Sequence, residues 1–262
     1  MTTKTPRILC TGHSHMSALM RAHRDNFRGG EWNFDMDFLR LQADDYKPNF
    51  VEAEDGTRKL NDLIGRHMRH KAVTRPADAI VAFLFGNEVN AVAMLRHRPD
   101  FDFHVPGDET PVDDNAEIVP YGALRDMISF RVEDRVKPFV AEARAQYDGP
   151  IYVAPPPPPI PDEAHILANP GGFKDLAAER GVSPAPLRLK LWRLYCEVLR
   201  EQVEAAGGQV LSLPAAAFDE EGYFKKDYWH WDPTHGNFAY GELVIRHILT
   251  KLFSLTPERI AA

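Results

Sequence analysis

The stretch RILCTGHSHMSALMRAHR, residues 7–24, decides the fold. Arg7–Cys10 is a short apolar run of strand type, a Gly-containing polar turn follows, and Ser17–Arg24 reads as a helix. The same order recurs along the chain. Strand-like runs stand at Met36–Leu41, Ala79–Phe85, Ile151–Ala154 and Gln209–Leu213, most of them flanked by Gly, Pro or Asp. Helix-like stretches stand between and after them at Arg58–His70, Tyr121–Gln146, Pro186–Ala206 and Phe238–Phe253. Strands that alternate with helices imply parallel βαβ units with right-handed crossovers. The expected fold is therefore α/β: a three-layer α/β/α sandwich around a central, mostly parallel, five-stranded sheet. In such sheets the working crevice lies beyond the carboxyl ends of the strands, near the point where strand order reverses.

Helix Pro186–Ala206 shows the pattern: Leu187, Leu191, Leu194 and Val198 make an apolar face, Arg188, Arg193 and Glu197 alternate with it, and Gly207–Gly208 stops it. Pro138 is expected to kink or split the long central helix. Two regions fit no regular element and read as insertions, near 99–120 and 155–184, in a single domain spanning 1–262. The first is acidic and turn-rich. The second opens with the proline run Pro155–Pro161, which is stiff and has few backbone donors, and so cannot continue a sheet. Its place after the fourth strand predicts either a rim or lid over the site, or a surface linker.

Composition narrows the function. The 262 residues are 44% hydrophobic, an ordinary share for a globular chain, and the net charge of −7 disfavours a nucleic-acid surface. A small-molecule or carbohydrate substrate is expected instead. No run approaches the roughly 20 apolar residues that cross a bilayer, so no membrane partner is expected. The N-terminus shows no apolar segment with a cleavage site, and Cys10 and Cys196 lie in apolar surroundings, which reads as a cytoplasmic protein with reduced structural thiols.

Three short blocks carry the chemistry, each where an element changes. Thr11-Gly12-His13-Ser14-His15 follows the first strand, and a serine on such a turn exposes its hydroxyl while its own N–H can meet a developing oxyanion. Phe85-Gly86-Asn87-Glu88-Val89-Asn90 follows the third strand, where an Asn amide can point at the same oxygen. Asp232-Pro233-Thr234-His235 precedes the last helix, and its spacing lets the carboxylate orient the imidazole and leave the other ring nitrogen free as a base. Taken singly, each has a plain structural alternative in a helix cap or a turn. Together they converge on one end of the predicted sheet.

In these blocks, and in their order over nearly the whole chain, the sequence resembles the SGNH (GDSL-like) hydrolases. The resemblance implies a flavodoxin-like α/β/α fold, no cofactor, and ester or acyl hydrolysis, often of O-acetyl groups on carbohydrates. It implies Ser14 as nucleophile with Asp232 and His235, and Ser14 with Asn87 as oxyanion hole. Three departures stand out. His13 replaces an acid usual in the first block, Asn87 directly follows its glycine so that Asn90 is a rival donor, and only Gly56 is available as a second-block glycine. The aromatic cluster before the last block offers Tyr228, Trp229 and Trp231, with His15, as a substrate surface, or else anchors its loop. The Gly-x-Ser-x-Gly elbow of α/β-hydrolases is missing, since position 16 is Met.

Rival readings are an acyltransferase or an inactive binding protein on the same fold, a phosphate cradle at Thr11–Ser17, and a metal-dependent hydrolase using His13, His15, Asp232 and His235. His67, His70, His97, His104, His165 and His247 read as structural or exposed.

Overall fold

Strand β1 (Arg7–Gly12) is buried at every position, as a strand covered on both faces must be. The computed structural model describes residues 5–27, 32–84, 86–108 and 110–255. In it β1 lies between β2 (Asp35–Arg40) and β3 (Ala79–Phe83), and β4 (Ile151–Val153) and β5 (Gln209–Val210) extend the sheet beyond β3. All pairings among the five are parallel, in the order β2-β1-β3-β4-β5. That order reverses direction between β1 and β3, which puts the crevice outside their carboxyl ends.

Two apolar layers flank the sheet. On one face Ile8, Cys10, Val81 and Phe83 pack with α1 (Met16–Ala22) and α8 (Phe238–Phe253), through Met16, Leu19, Val244, Ile245 and Ile248. On the other face Leu9, Ile80, Ala82, Ile151 and Val153 pack with α2 (Asp62–Arg69), α3 (Asn87–Ala93), α4 (Tyr121–Gln146) and α7 (Ala185–Ala205). The alternation of these residues along each strand is the two-residue period of a pleat covered on both sides. The architecture is a three-layer α/β/α sandwich.

Several expectations are corrected in detail. The helix expected over Arg58–His70 starts only at Asp62; Arg58–Leu60 instead pairs antiparallel with Phe50–Glu52, and the Asn61 side chain caps α2 by accepting from the Leu63 N–H. Pro138 lies inside an unbroken α4. The first helix ends at Ala22 and passes into a wider turn over His23–Phe27. Strand β5 is only two residues long, and β3 ends at Phe83. Phe85, where that strand was expected to end, lies outside the described residues. The second insertion holds two short helices, α5 (Glu163–Ala168) and α6 (Lys174–Arg180), and in the first Phe101–Asp102 pairs with Glu117–Ile118. Cys10 and Cys196 are both free, and burial pushes both thiols well up. No helix among the described residues is long and apolar enough to cross a membrane.

Candidate active site

The loop ahead of α8 is built around one carboxylate. Asp232 Oδ1 accepts from the Thr234 N–H at 2.9 Å, the His235 N–H at 2.8 Å and His235 Nδ1 at 2.9 Å. An ionised carboxylate only accepts, so His235 Nδ1 carries the proton and Nε2 keeps a lone pair. That Nε2 is buried and has no hydrogen-bond partner among the described residues. Burial works to raise Asp232, but the bonds from the His235 ring and from the Thr234 and His235 N–H groups outweigh it and hold the carboxyl well below the usual range. The second oxygen is also used: His230 Nδ1 lies 2.9 Å from Asp232 Oδ2. One carboxylate thus orients two imidazoles.

Ser14 belongs to the turn between β1 and α1, where His13 N–H bonds Phe83 O at 3.1 Å and ties the turn to the end of β3. Gly12 is required there, because a Cβ would fall 2.5 Å from Phe83 O. Ser14, Asp232 and His235 line one cavity of about 200 Å³, together with Ser17, Arg21 and His230. The three residues expected from the first and last blocks therefore share a single space. His15 points the other way, its ring tilted by 36° against that of His235 with centroids 4.6 Å apart. Burial and then the neighbouring His235 push His15 down to about 3, so it is neutral at ordinary pH. As a wall behind the base, it does not line the cavity.

The third block is set from behind. Gly86 has φ +136°, a conformation that favours glycine, and a Cβ there would come within 2.9 Å of Pro156 and 3.1 Å of His15 Nε2. Its N–H donates to the buried Glu88 carboxylate at 2.9 Å, which in turn pairs with Arg135 at 2.8 Å. His13 lies in the same buried cluster, and burial followed by the Arg135 charge lowers it. Asn87 starts α3 and is exposed, while Asn90 lines a small space with Pro156 and Thr234. Neither lines the cavity of Ser14. Gly56 sits at the exposed turn of the hairpin, where its N–H already donates to Ala53 O, so it is not available as an oxyanion donor.

The proline run is not a surface linker: Pro155–Pro158 are buried, with Pro156 against Gly86, and the run borders the small space of Asn90 and Thr234 rather than the cavity of Ser14. It is fastened by Arg188, fully buried on α7, which donates to Ser183 O, Ile160 O and Pro161 O, and by Trp192 Nε1, which donates to Pro156 O at 3.2 Å. Of the aromatic surface, Tyr228 packs on Phe224 and Tyr240, and Trp229 donates to Phe224 O at 2.6 Å. These two anchor the loop. Trp231, 82% exposed beside Asp232, is free to meet a ligand.

Among the histidines read as structural, His67 bonds Tyr46, His97 bonds Val92 O and His247 approaches Ser212. His165 is closer to the chemistry than expected, since its Nε2 lies 3.1 Å from His230 O and its ring packs on Trp229, propping the loop. Among the described residues no three His, Cys, Asp or Glu side chains are placed to hold a metal ion, so His13, His15, Asp232 and His235 do not form a ligand set. Sequence reasoning passed over Glu88, Arg21 and the role of His230. The signals were there in a charged residue directly after Gly86-Asn87, in Arg21 seven residues after Ser14, and in the His-x-Asp spacing of 230–232.

No family model and no curated protein matches the chain. Solved structures do. A GDSL-like lipase from Bacteroides thetaiotaomicron aligns at 13% identity and a TM-score of 0.44, over 95% of this chain and 90% of its own. The periplasmic domain of a Salmonella ser. Paratyphi A lipopolysaccharide acetyltransferase aligns at 13% and 0.45, over 96% and 85%. A carbohydrate acetylesterase from Sinorhizobium meliloti aligns at 10% and 0.40, over 96% and 100%. The likeness is one of chain course.

Proposed function

We propose that this chain is a serine ester hydrolase of the SGNH, or GDSL-like, type, acting on a small ester such as an O-acetylated carbohydrate. The observation that carries the reading is the His235–Asp232 bond of 2.9 Å in a cavity that also holds Ser14. Ser14 Oγ attacks the ester carbonyl while His235 Nε2, the ring nitrogen left unbonded, takes its proton. Asp232 keeps the proton on Nδ1 and stabilises the imidazolium that forms. The tetrahedral oxyanion is met by the Ser14 N–H at the entry to α1. Imidazolium returns the proton to the leaving alcohol, and a water activated by His235 then releases the acid and frees Ser14. The open indole of Trp231 suits stacking against a sugar face.

A fluorophosphonate probe followed by mass-spectrometric mapping tests this directly. Labelling at Ser14, with Ser14→Ala folded but at least about a thousandfold slower on p-nitrophenyl acetate, is the expected result. Labelling elsewhere, or turnover retained in Ser14→Ala, would remove the nucleophile assigned here.

A further inference from the structure

Ser17, Arg21 and Arg24 follow one another at spacings of four and three residues along one face of α1 and its continuation, and Ser14 stands in the turn just before that helix and lines the same cavity as Ser17 and Arg21. The opposite face, with Met16, Leu19 and Ala22, is buried in the core. The polar stripe therefore runs outward from the nucleophile. Ser17 and Arg21 line the cavity of Ser14, and both also line a neighbouring basin of about 550 Å³ bordered by His23, Arg24, Asp37 and Arg40. The two spaces meet at Arg21 and make one groove.

Its charge runs against that of the molecule. The chain carries −7 overall, yet the acids of the groove are already engaged: Asp232 by His235 and His230, and Asp37 by Lys71 at 2.8 Å and Arg7 at 3.3 Å. Arg24 is held by Asp25, and Arg40 meets the neutral amide oxygen of Gln42. Arg21 makes no hydrogen bond or ion pair with any described residue. The acid it influences, Asp25, already belongs to Arg24. An unpaired guanidinium at the neck of a groove, with Arg40 beyond it, presents a planar fork of donors to whatever enters.

We infer that the groove selects esters whose alcohol part carries an anionic group, a carboxylate above all, with Arg21 as the residue that reads it. The inference rests on the hydrolase reading. The smaller cavity at Ser14 takes the acyl group and the larger basin takes the alcohol, the bulkier half of an O-acyl substrate. A carboxylate on that half lies along Arg21 as a two-pronged, charge-assisted pair, and the positive neck of an otherwise negative molecule draws the substrate in.

The test compares p-nitrophenyl acetate with the acetyl ester of a hydroxynitrobenzoic acid, in the parent protein and in Arg21→Ala and Arg21→Lys. The readout is the ratio of kcat/KM for the carboxylate-bearing ester to that for the neutral one. The expected result is a ratio about tenfold lower in Arg21→Ala, partly restored in Arg21→Lys, and narrowing in the parent protein as salt is raised. A ratio that does not move in Arg21→Ala overturns the inference, while Ser14 labelling by the fluorophosphonate leaves the hydrolase reading standing. Where neither ester is turned over and Ser14 is unlabelled, the hydrolase reading fails instead. The groove is then judged by calorimetric binding of the carboxylate ester to Ser14→Ala and to Ser14→Ala/Arg21→Ala. Weaker binding in the double variant supports the anion site, and equal binding overturns it.

Discussion

His15 and His235 lie ring against ring, tilted by 36°, yet only one of them bonds a carboxylate. His15, buried and pushed down to about 3, stays neutral in the folded protein, whereas in the unfolded chain it takes up a proton near the ordinary value of about 6.5. Between those two values the unfolded state binds more protons, so stability is lost as pH falls from about 6.5 toward 3. The slope from this one residue is at most about 1.4 kcal/mol per pH unit. Urea midpoints measured across that range are expected to fall less steeply in His15→Asn than in the parent protein. Equal slopes would mean that the ring is not kept neutral by its burial. Asp232 acts lower on the scale: its depressed carboxyl contributes stability above the ordinary value of about 3.9, which is lost as pH falls through its folded value. At this scale Asp232-x-x-His235 was legible in the sequence because both partners sit in one turn, so spacing alone fixes their contact. Glu88 was not, because its partners Gly86 and Arg135 are joined by burial and by a long helix. His230 was hidden between Trp229 and Trp231, in a run that reads as an aromatic surface.

At the scale of elements, the proline run depends on α7. A chain with few N–H donors still has carbonyls to satisfy, and the Arg188 guanidinium serves Ile160 O and Pro161 O from inside the core. Its desolvation lowers it to about 10, still charged at neutral pH. Arg188→Met keeps the apolar stem and removes the donors, so it is expected to cost roughly 2–4 kcal/mol in urea unfolding. Esterase turnover should fall with it, because Pro156 packs on Gly86. Unchanged stability would show that water replaces the guanidinium. The run itself was legible as something other than strand, but its burial was not, since Arg188 reads in sequence as the polar face of an amphipathic helix. The hairpin over 50–60 escaped for a similar reason. Arg58–Leu60 continues directly into a good helical pattern, and only pairing with Phe50–Glu52 takes it out of the helix. Strands β1 and β3, buried on both faces, were read from the correct first residue and missed by two residues at the last, where each passes into its turn.

At the scale of the whole molecule, the sandwich collects at one sheet end the loops that follow β1, β3 and β4 and the loop that precedes α8. The helix layers are unequal: α1 and α8, joined by Ile166 of α5, pack on one face, while α2, α3, α4 and α7 share the other. On the thinner face α1 and α8 cross so closely that Gly241 lies against the backbone of Ala18 and Leu19. That contact joins two helices far apart in sequence, and the proposed nucleophile and base travel with them. A ribosome must therefore have released α8, long after α1, before the proposed reaction centre can exist. Catalysis regained during refolding would count only molecules in which α1 and α8 have already met.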